Sequence, residues 1–441
     1  MPDISNFGVK VPDQIPTQTL KSILGAAGHA RMKMWLEICT RCGLCSDSCF
    51  FYLAHDRKPE MAPAFKVQAL RKLYRTGGEA TKELLEEMFQ RSFAECTACR
   101  RCSMYCPFGI DMATMVSVQR AMLTALDMCP EGLARSIENY LNFGNQMAVT
   151  QEDWIETCAW MEEETAAELP GLKIPMDKKG ARIMYTVNAR EPKFYPQDIA
   201  MAAKVFHLVG EDWTMPSTGW DDTNLAMFAA HPKAAAHVVK LIYDKALELG
   251  VEAIAITECG HAYRAVAFEG PYFLGLPGGK PPVPVIHSVR LFYEYVRDGR
   301  LKLDKTKITE PVTYQDPCNV SRNGGLIEEP RYVLDQLVSN FVDMQPNREH
   351  NYCCGGGGGF IPMGPPFKKL RMKSGRVKAD QIRQTGAKIA CVPCHNCYDQ
   401  INDLNKEYKL GIKVESFKEL FEKAAIIPEH LKPKEEKAAV A

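Results

Sequence analysis

The sequence predicts a mixed α+β and α/β protein: a helical N-terminal module, a helical connector, then a duplicated α/β region. Three observations carry this expectation. Cysteines fall in two matched runs, Cys39-x2-Cys42-x2-Cys45-x3-Cys49 and Cys96-x2-Cys99-x2-Cys102-x3-Cys106, within helical periodicity. From Lys179 onward, short apolar runs alternate with helical stretches, the pattern of α/β architecture. Finally, Glu258-Cys259-Gly260-His261-Ala262-Tyr263 matches Pro393-Cys394-His395-Asn396-Cys397-Tyr398 at an offset of 135, and Pro216-Ser217-Thr218-Gly219 meets Tyr352-Cys353-Cys354-Gly355 at 136, as an internal duplication requires.

The elements follow in order. Residues 1–30, rich in Pro, Gln, Thr and Gly, read as an extended arm. Residues 31–112 form the two-run module, whose insert from Pro63 to Phe93 carries Phe65, Val67, Leu70, Leu73 and Tyr74 at helical spacing. Residues 113–178 read as a helical connector, with Met115, Val118, Met122, Leu123 and Leu126 on one face, a break at Pro130, and Trp154 and Trp160 as a packing pair. In the first copy, 179–300, Arg182–Val187 reads as a strand, Asp198–Val209 as a helix, Leu225–Leu249 as one long helix and Val251–Ile256 as a strand. In the second, 301–425, Pro311–Gln315 and Ala387–Val392 read as strands, and Glu329–Val342 and Lys368–Thr385 as helices; 426–441 is a charged tail.

A chain of 441 residues exceeds the roughly 250–300 that one core usually serves, so several domains are expected. Lys plus Arg and Asp plus Glu both number 54, which removes any global attraction to nucleic acid or anionic lipid. The 17 cysteines are clustered, and residues 1–33 hold no apolar segment of signal-peptide type, so reduced metal-binding thiolates in the cytoplasm are expected rather than a disulfide scaffold. No stretch approaches the ~20 apolar residues that span a bilayer, so membrane contact is expected through a partner. There is no Rossmann glycine fingerprint after a strand and no Walker A sequence, so electrons must enter from another subunit.

The two runs have the ligand spacing of a two-cluster bacterial ferredoxin, including Pro107 after Cys106. In that arrangement each run gives three thiolates to its own cluster and the fourth to the other. Cys39, Cys42, Cys45 and Cys106 are therefore assigned to one [4Fe-4S] cluster, and Cys96, Cys99, Cys102 and Cys49 to a second. Structural zinc is the alternative, but zinc favours separated cysteine pairs. Phe50, not proline, follows Cys49, so the turn leaving the first run differs in shape.

A further set comprises Cys318, Cys353-Cys354 and Cys391-x2-Cys394. Soft thiolates select iron–sulfur chemistry, zinc or Cu(I), and the neighbouring ferredoxin runs favour the first. Gly355 to Gly359 follow the paired cysteines directly. Glycine allows close backbone approach, and the amides of Gly355 and Gly356 are candidates to surround an anionic cofactor. A flexible loop is the plainer reading.

Cys318, Cys353-Cys354-Gly355 and Cys391-x2-Cys394 resemble the CCG motif of heterodisulfide reductase catalytic subunits. The plan over 31–425, two ferredoxin runs and then a duplicated CCG domain with a degenerate first copy, is similar to heterodisulfide reductase-like CCG-domain iron–sulfur proteins of the DsrK, HmcF and TmcB type, found in membrane redox complexes of sulfate reducers. The resemblance implies an additional non-cubane iron–sulfur cluster on Cys318, Cys353, Cys354, Cys391 and Cys394. Cys353, Cys354 and Cys394 would then carry the catalysis. Cys397 is extra: it either replaces Cys391 or Cys394 as a ligand or stands nearby as a free thiol. Cys259, paired with Cys394 across the repeat, either faces the same cleft or is a small buried apolar group.

The resemblance also implies a cytochrome b-type membrane partner on the cytoplasmic face, a multihaem cytochrome c as remote donor, and a thiol or disulfide substrate, protein or small molecule. Disulfide opening takes two electrons while cubanes pass one at a time, and ferredoxin-type centres near about −400 mV lie below ordinary disulfide couples. Rival readings are a pure relay to a soluble acceptor such as ferredoxin, and the iron–sulfur subunit of a flavin-linked hydroxyacid or glycerol-phosphate dehydrogenase. His261 and His395 are candidate proton donors beside the matched cysteines, with packing roles as the alternative. Lys368, Lys369, Arg371, Lys373, Arg376 and Lys378 read as a solvated helix face, with partner docking as the alternative.

Overall fold

The structure is a computed structural model that describes residues 4–26 and 29–432. The rest of the expected N-terminal arm and of the charged tail lies outside the described residues. The arm is not simply extended: Thr17–Ala26 is a helix, because Leu20 and Leu24 recur one turn apart and are buried. It packs on the helix Met112–Thr124, while the Phe7 ring meets Phe89 at 5.6 Å and Phe367 at 4.7 Å.

The insert between the cysteine runs forms the helices Pro63–Lys66, Gln68–Arg75 and Lys82–Phe89. The connector follows as Met112–Thr124, Glu131–Phe143 and Gln151–Glu168, broken at Pro130 as expected. Within it Trp154 is fully buried and stacks on Trp220 at 4.5 Å, but Trp160 is half exposed, so the two tryptophans do not act as a pair.

Beyond the connector lie two parallel sheets. The first comprises β1 (Ile183–Thr186), β2 (Trp213–Thr214), β3 (Ala253–Ile256) and β4 (Val285–His287), in the order β2-β1-β3-β4. The second comprises β5 (Val312–Tyr314), β6 (Ile389–Cys391) and β7 (Lys413–Glu415), in the order β5-β6-β7. A parallel bridge from Val312 to Phe341 stands where β2 stands in the first sheet. The repeated order makes the duplication visible as topology.

Two sequence expectations fail here for local reasons. Leu225–Leu249 is split into Leu225–Ala229 and Pro232–Leu249, since Ala230 turns left-handed (φ 55°) and Pro232 restarts the helix, its first turn capped by His231. The helix from Glu329 ends at Leu337, because the chain must extend to let Phe341 reach Val312.

Strand alternation sorts side chains between two apolar cores. Ile254 and Ile256 of β3, with Ala390 of β6 and the adjoining Val392, enter the core shared with the N-terminal module. Ala253, Ala255, Ile389 and Cys391 enter the other. The carboxyl ends of β3 and β6, where ligands of parallel sheets characteristically bind, therefore meet the cysteine-rich module.

Candidate metal centres

Cys49, Cys96, Cys99 and Cys102 line one cavity of the N-terminal module. Cys39, Cys42, Cys45 and Cys106 line a second. Each cavity thus draws three cysteines from one run and the last cysteine of the other, the crossed arrangement expected from spacing. Lys66, buried beside the first cavity, places Nζ 3.9 Å from the Cys49 sulfur and 4.7 Å from the centre of the Phe51 ring. Burial opposes its charge, but Cys49, Cys96 and Glu95 outweigh that and raise its pKa above the usual lysine value. The residues fit anionic clusters, with a fixed cation beside one.

The remaining cysteines converge at the strand ends. The thiols of Cys318 and Cys354 are near enough to Cys353, Cys354 to Cys397, and Cys397 to Cys394, for each pair to shift one another's titration. Cys353 also pushes the Cys99 thiol well up, and Thr97 Oγ1 lies 3.5 Å from the Cys353 sulfur, so the N-terminal module touches this nest. Neighbouring thiols pull Cys354 well below its ordinary pKa, Cys353 and Cys397 contributing most, with the Gly356 amide assisting against burial. The Cys397 thiol, chiefly, brings Cys394 down to about 6. The amides of Gly355 and Gly356 donate to the sulfurs of Cys353 and Cys354, each at 3.4 Å. So dense a set of soft donors, with amides aimed at the sulfurs, fits an iron–sulfur centre and not a hard cation.

Cys391 is not in this nest. It lies on β6 between Tyr314 and Glu415 in register and faces the other core. Burial and the carboxylates Glu258, Glu415 and Glu419 push its thiol well up. Cys397 occupies the nest instead, on the first turn of the helix His395–Tyr408.

Cys259 faces the nest from the first copy. Cys259 and Cys394 are the N-caps of matched helices, and each amide bonds the carbonyl two residues back, Cys259 to Thr257 and Cys394 to Val392. His395 N donates to the Glu258 carbonyl at 3.1 Å and stitches the copies together. The His395 ring meets Glu191 at 2.9 Å, within a buried group where Lys418 Nζ lies 3.7 Å from both Glu191 and Asp198. Lys418 supplies the positive charge that these carboxylates need. His261 Nδ1 lies 3.2 Å from the Cys259 sulfur and 3.1 Å from the Asn396 amide nitrogen, and burial takes its pKa down to about 3, so the ring is neutral.

Sequence reasoning missed three cations. Lys66 is one. Lys378, read as solvated, is fully buried, donates to Asn351 at 2.7 Å, and is pulled down to about 7 by burial while Cys354 opposes the shift. Arg120 is buried within the helix Met112–Thr124 and donates to the carbonyls of Phe228 and Gly358 at 2.8 Å and of Cys96 at 2.6 Å. Of the expected basic face, Arg371 is also buried and pairs with Asp403, while Lys368, Lys369, Lys373 and Arg376 are exposed.

The glycine run is packed. Gly358 has φ of +67°, and a Cβ there would come within 2.6 Å of the Thr97 backbone. Thr97 Oγ1 in turn lies 3.5 Å from the Cys353 sulfur. Gly358→Ala should therefore lose about 1–3 kcal/mol by overpacking in a left-handed position and pull the two cysteine modules apart. A melting temperature equal to wild type would contradict this packing.

Comparisons with known proteins agree with the geometry. Residues 35–110 match a 4Fe-4S dicluster domain, and residues 312–402 match the CCG cysteine-rich domain. The chain is 27% identical over 440 residues to the Hdr-like menaquinol oxidoreductase iron-sulfur subunit 2 of Archaeoglobus fulgidus, covering 87% of this chain and 78% of that one. It is 29% identical over 407 residues to a subunit of the dihydromethanophenazine:CoB--CoM heterodisulfide reductase of Methanosarcina acetivorans, covering 87% of this chain and 92% of that one. An EtfAB:quinone oxidoreductase of Syntrophomonas wolfei is 22% identical, covering 83% of this chain and 55% of that one. Among the described residues no helix is long and apolar enough to cross a membrane. The likeness runs through both cysteine-rich regions and the connector between them: the chain carries a 4Fe-4S dicluster domain and a CCG cysteine-rich domain, and over most of its length it is similar to heterodisulfide reductase-like iron–sulfur subunits of oxidoreductases.

Proposed function

We propose that this chain is the iron–sulfur subunit of a membrane-associated complex, exchanging electrons with a cytochrome b-type partner on the cytoplasmic face and performing thiol–disulfide chemistry at the CCG site. A quinol-type carrier in the membrane is the natural electron source, as the names of the archaeal relatives suggest. Two [4Fe-4S] clusters occupy the crossed cysteine sets of the N-terminal module. Cys318, Cys353, Cys354, Cys394 and Cys397 hold the third centre, with Cys397 in the place expected for Cys391. When bound, that centre supplies one-electron steps beside a substrate sulfur.

The observation that carries this reading is the contact of Thr97, within the second cysteine run, with the Cys353 sulfur at 3.5 Å, which brings the electron-carrying module against the nest. The protein's own groups then do three things. The Gly355 and Gly356 amides offset negative charge on Cys353 and Cys354. Lys378, fully buried and pulled down to about 7 by burial, is an amine that gains or loses its proton near neutral pH close to Cys354. Apolar packing around Phe360 and Met363 keeps bulk water away.

Anaerobically purified, oxidised protein should give an electron paramagnetic resonance signal that changes on adding a thiol. Cys354→Ser should abolish that response. Cys42→Ser, at an exposed cysteine of the outer cavity, should retain it. A signal indifferent to every thiol would favour a relay to a soluble acceptor such as ferredoxin.

A further inference from the structure

The two cysteine cavities of the N-terminal module differ sharply in the charge around them. Four cations gather at the inner one, lined by Cys49, Cys96, Cys99 and Cys102. Lys66 Nζ reaches the Cys49 sulfur at 3.9 Å and donates to the Glu95 carbonyl. Arg101 donates to the carbonyl of Ser48, next to Cys49, and to that of His350 at 2.8 Å. Arg120 donates to the Cys96 carbonyl at 2.6 Å and Arg322 to the Cys99 carbonyl at 2.8 Å. Lys66, Arg101 and Arg120 are buried, and Arg322 is half-buried. Among the described residues none of the four pairs with a carboxylate: Glu95, whose carbonyl Lys66 takes, gives its carboxylate to Arg91 at 2.6 Å. Arg100, on the wall of the same cavity, is by contrast matched by Asp111 at 3.3 Å.

The outer cavity, lined by Cys39, Cys42, Cys45 and Cys106, has a single cation on its wall, Arg41, which is exposed, as is Cys42. There the Cys45 carbonyl takes the Ser48 hydroxyl, where those of Cys96 and Cys99 take guanidinium groups. Burying a cation without a carboxylate is costly, so four around one cavity call for an anion inside it. A cubane on four thiolates is such an anion, and reduction adds one more negative charge. Burial alone opposes that addition, and an electron would then stall at the solvent-facing outer centre. Fixed cations in a low-dielectric interior act strongly in the opposite sense.

We infer that Lys66, Arg101, Arg120 and Arg322 form a fixed cationic shell that sets the midpoint potential of the inner centre above that of the outer, making the inner centre the electron sink of the module. The inference rests on the crossed assignment of the two cysteine sets. The step it governs moves one electron, the outer centre being oxidised and the inner reduced, with no bond made or broken. No proton need accompany it, because the added charge meets cations already in place. The electron comes from a one-electron carrier, such as a haem or iron–sulfur protein, at the exposed Cys42 edge. Arg101 and Arg322 also bind the carbonyls of His350 and Asn351, just before Cys353, so the shell that holds the electron is tied to the segment that leads into the nest.

Potentiometric titration of the anaerobically purified, cluster-loaded full chain, followed by electron paramagnetic resonance, tests this. Cys42→Ser identifies the outer centre as the one whose signal it alters or removes. In the wild type the other signal should appear first as the potential is lowered. Lys66→Met should lower the inner midpoint by at least about 59 mV, a tenfold change in its reduced-to-oxidised ratio at a fixed potential, and leave the outer midpoint in place. Lys66→Arg, which keeps the charge, should hold the inner midpoint near that of the wild type. If Lys66→Met cannot be obtained with its clusters, Arg322→Gln, at a half-buried site, is judged by the same criterion. An outer centre that reduces first, an inner midpoint unmoved in the neutral variant, or a fall in Lys66→Arg equal to that in Lys66→Met would overturn the inference. Loss of both signals together in Cys42→Ser would remove the crossed assignment itself, and the inference with it.

Discussion

Cys397→Ser is expected to strip the third centre of its iron and abolish the thiol-responsive signal, whereas Cys391→Ser leaves both in place. The two residues share a strand–turn–helix segment, yet they face opposite ways. Cys397 shares a core with Cys354 and Cys394, whose thiols push its own well up, while Cys391 sits between Tyr314 and Glu415 in the other core. At Cys391 the only cost is a hydroxyl in place of a buried thiol, about 1–3 kcal/mol. At Cys397 a soft ligand is lost. Iron per polypeptide and the spectrum of each variant check this, and iron loss in Cys391→Ser with retention in Cys397→Ser would reverse the assignment.

Arg120→Met is expected to be the most damaging single change outside the cysteines. The guanidinium holds the carbonyls of Ser92, Cys96, Phe228 and Gly358, so one side chain joins the end of the insert, the second cysteine run, the first copy and the glycine loop. Burial lowers its pKa to about 10, with Cys96 opposing, and it remains charged at neutral pH. Methionine fills similar space but leaves four buried acceptors without a donor. At about 1–3 kcal/mol each, the loss should reach at least about 4 kcal/mol. Denaturant unfolding of the anaerobic protein measures it, and electron delivery from the N-terminal clusters to the nest should slow as Gly358 moves off Thr97. A stability within about 1 kcal/mol of wild type would mean that the hub is redundant.

What was legible in the sequence divides along physical lines. The ferredoxin cysteines were legible because their spacing is itself the geometry of the sites: the crossed sets line separate cavities. The placement of Cys391 was within reach but was missed. A strand was expected at Ala387–Val392, and a strand's period of two puts Cys391 with Ile389 on the face away from Ala390 and Val392. Motif resemblance outweighed that periodicity. The split at Ala230 had its signal in His231-Pro232. Lys66, Arg120 and Lys378 had none, because a buried cation looks like any other in sequence until the distant carbonyls or thiols that hold it are known.

The central claim is that one nest of five cysteines, met by the N-terminal module at Thr97, binds the third iron–sulfur centre. Diffraction from anaerobically grown crystals, recorded at the iron absorption edge, tests it most directly. The account predicts iron density bonded to Cys318, Cys353, Cys354, Cys394 and Cys397, with the Cys391 sulfur unligated. Iron bonded to Cys391, or zinc alone at the nest, would contradict it.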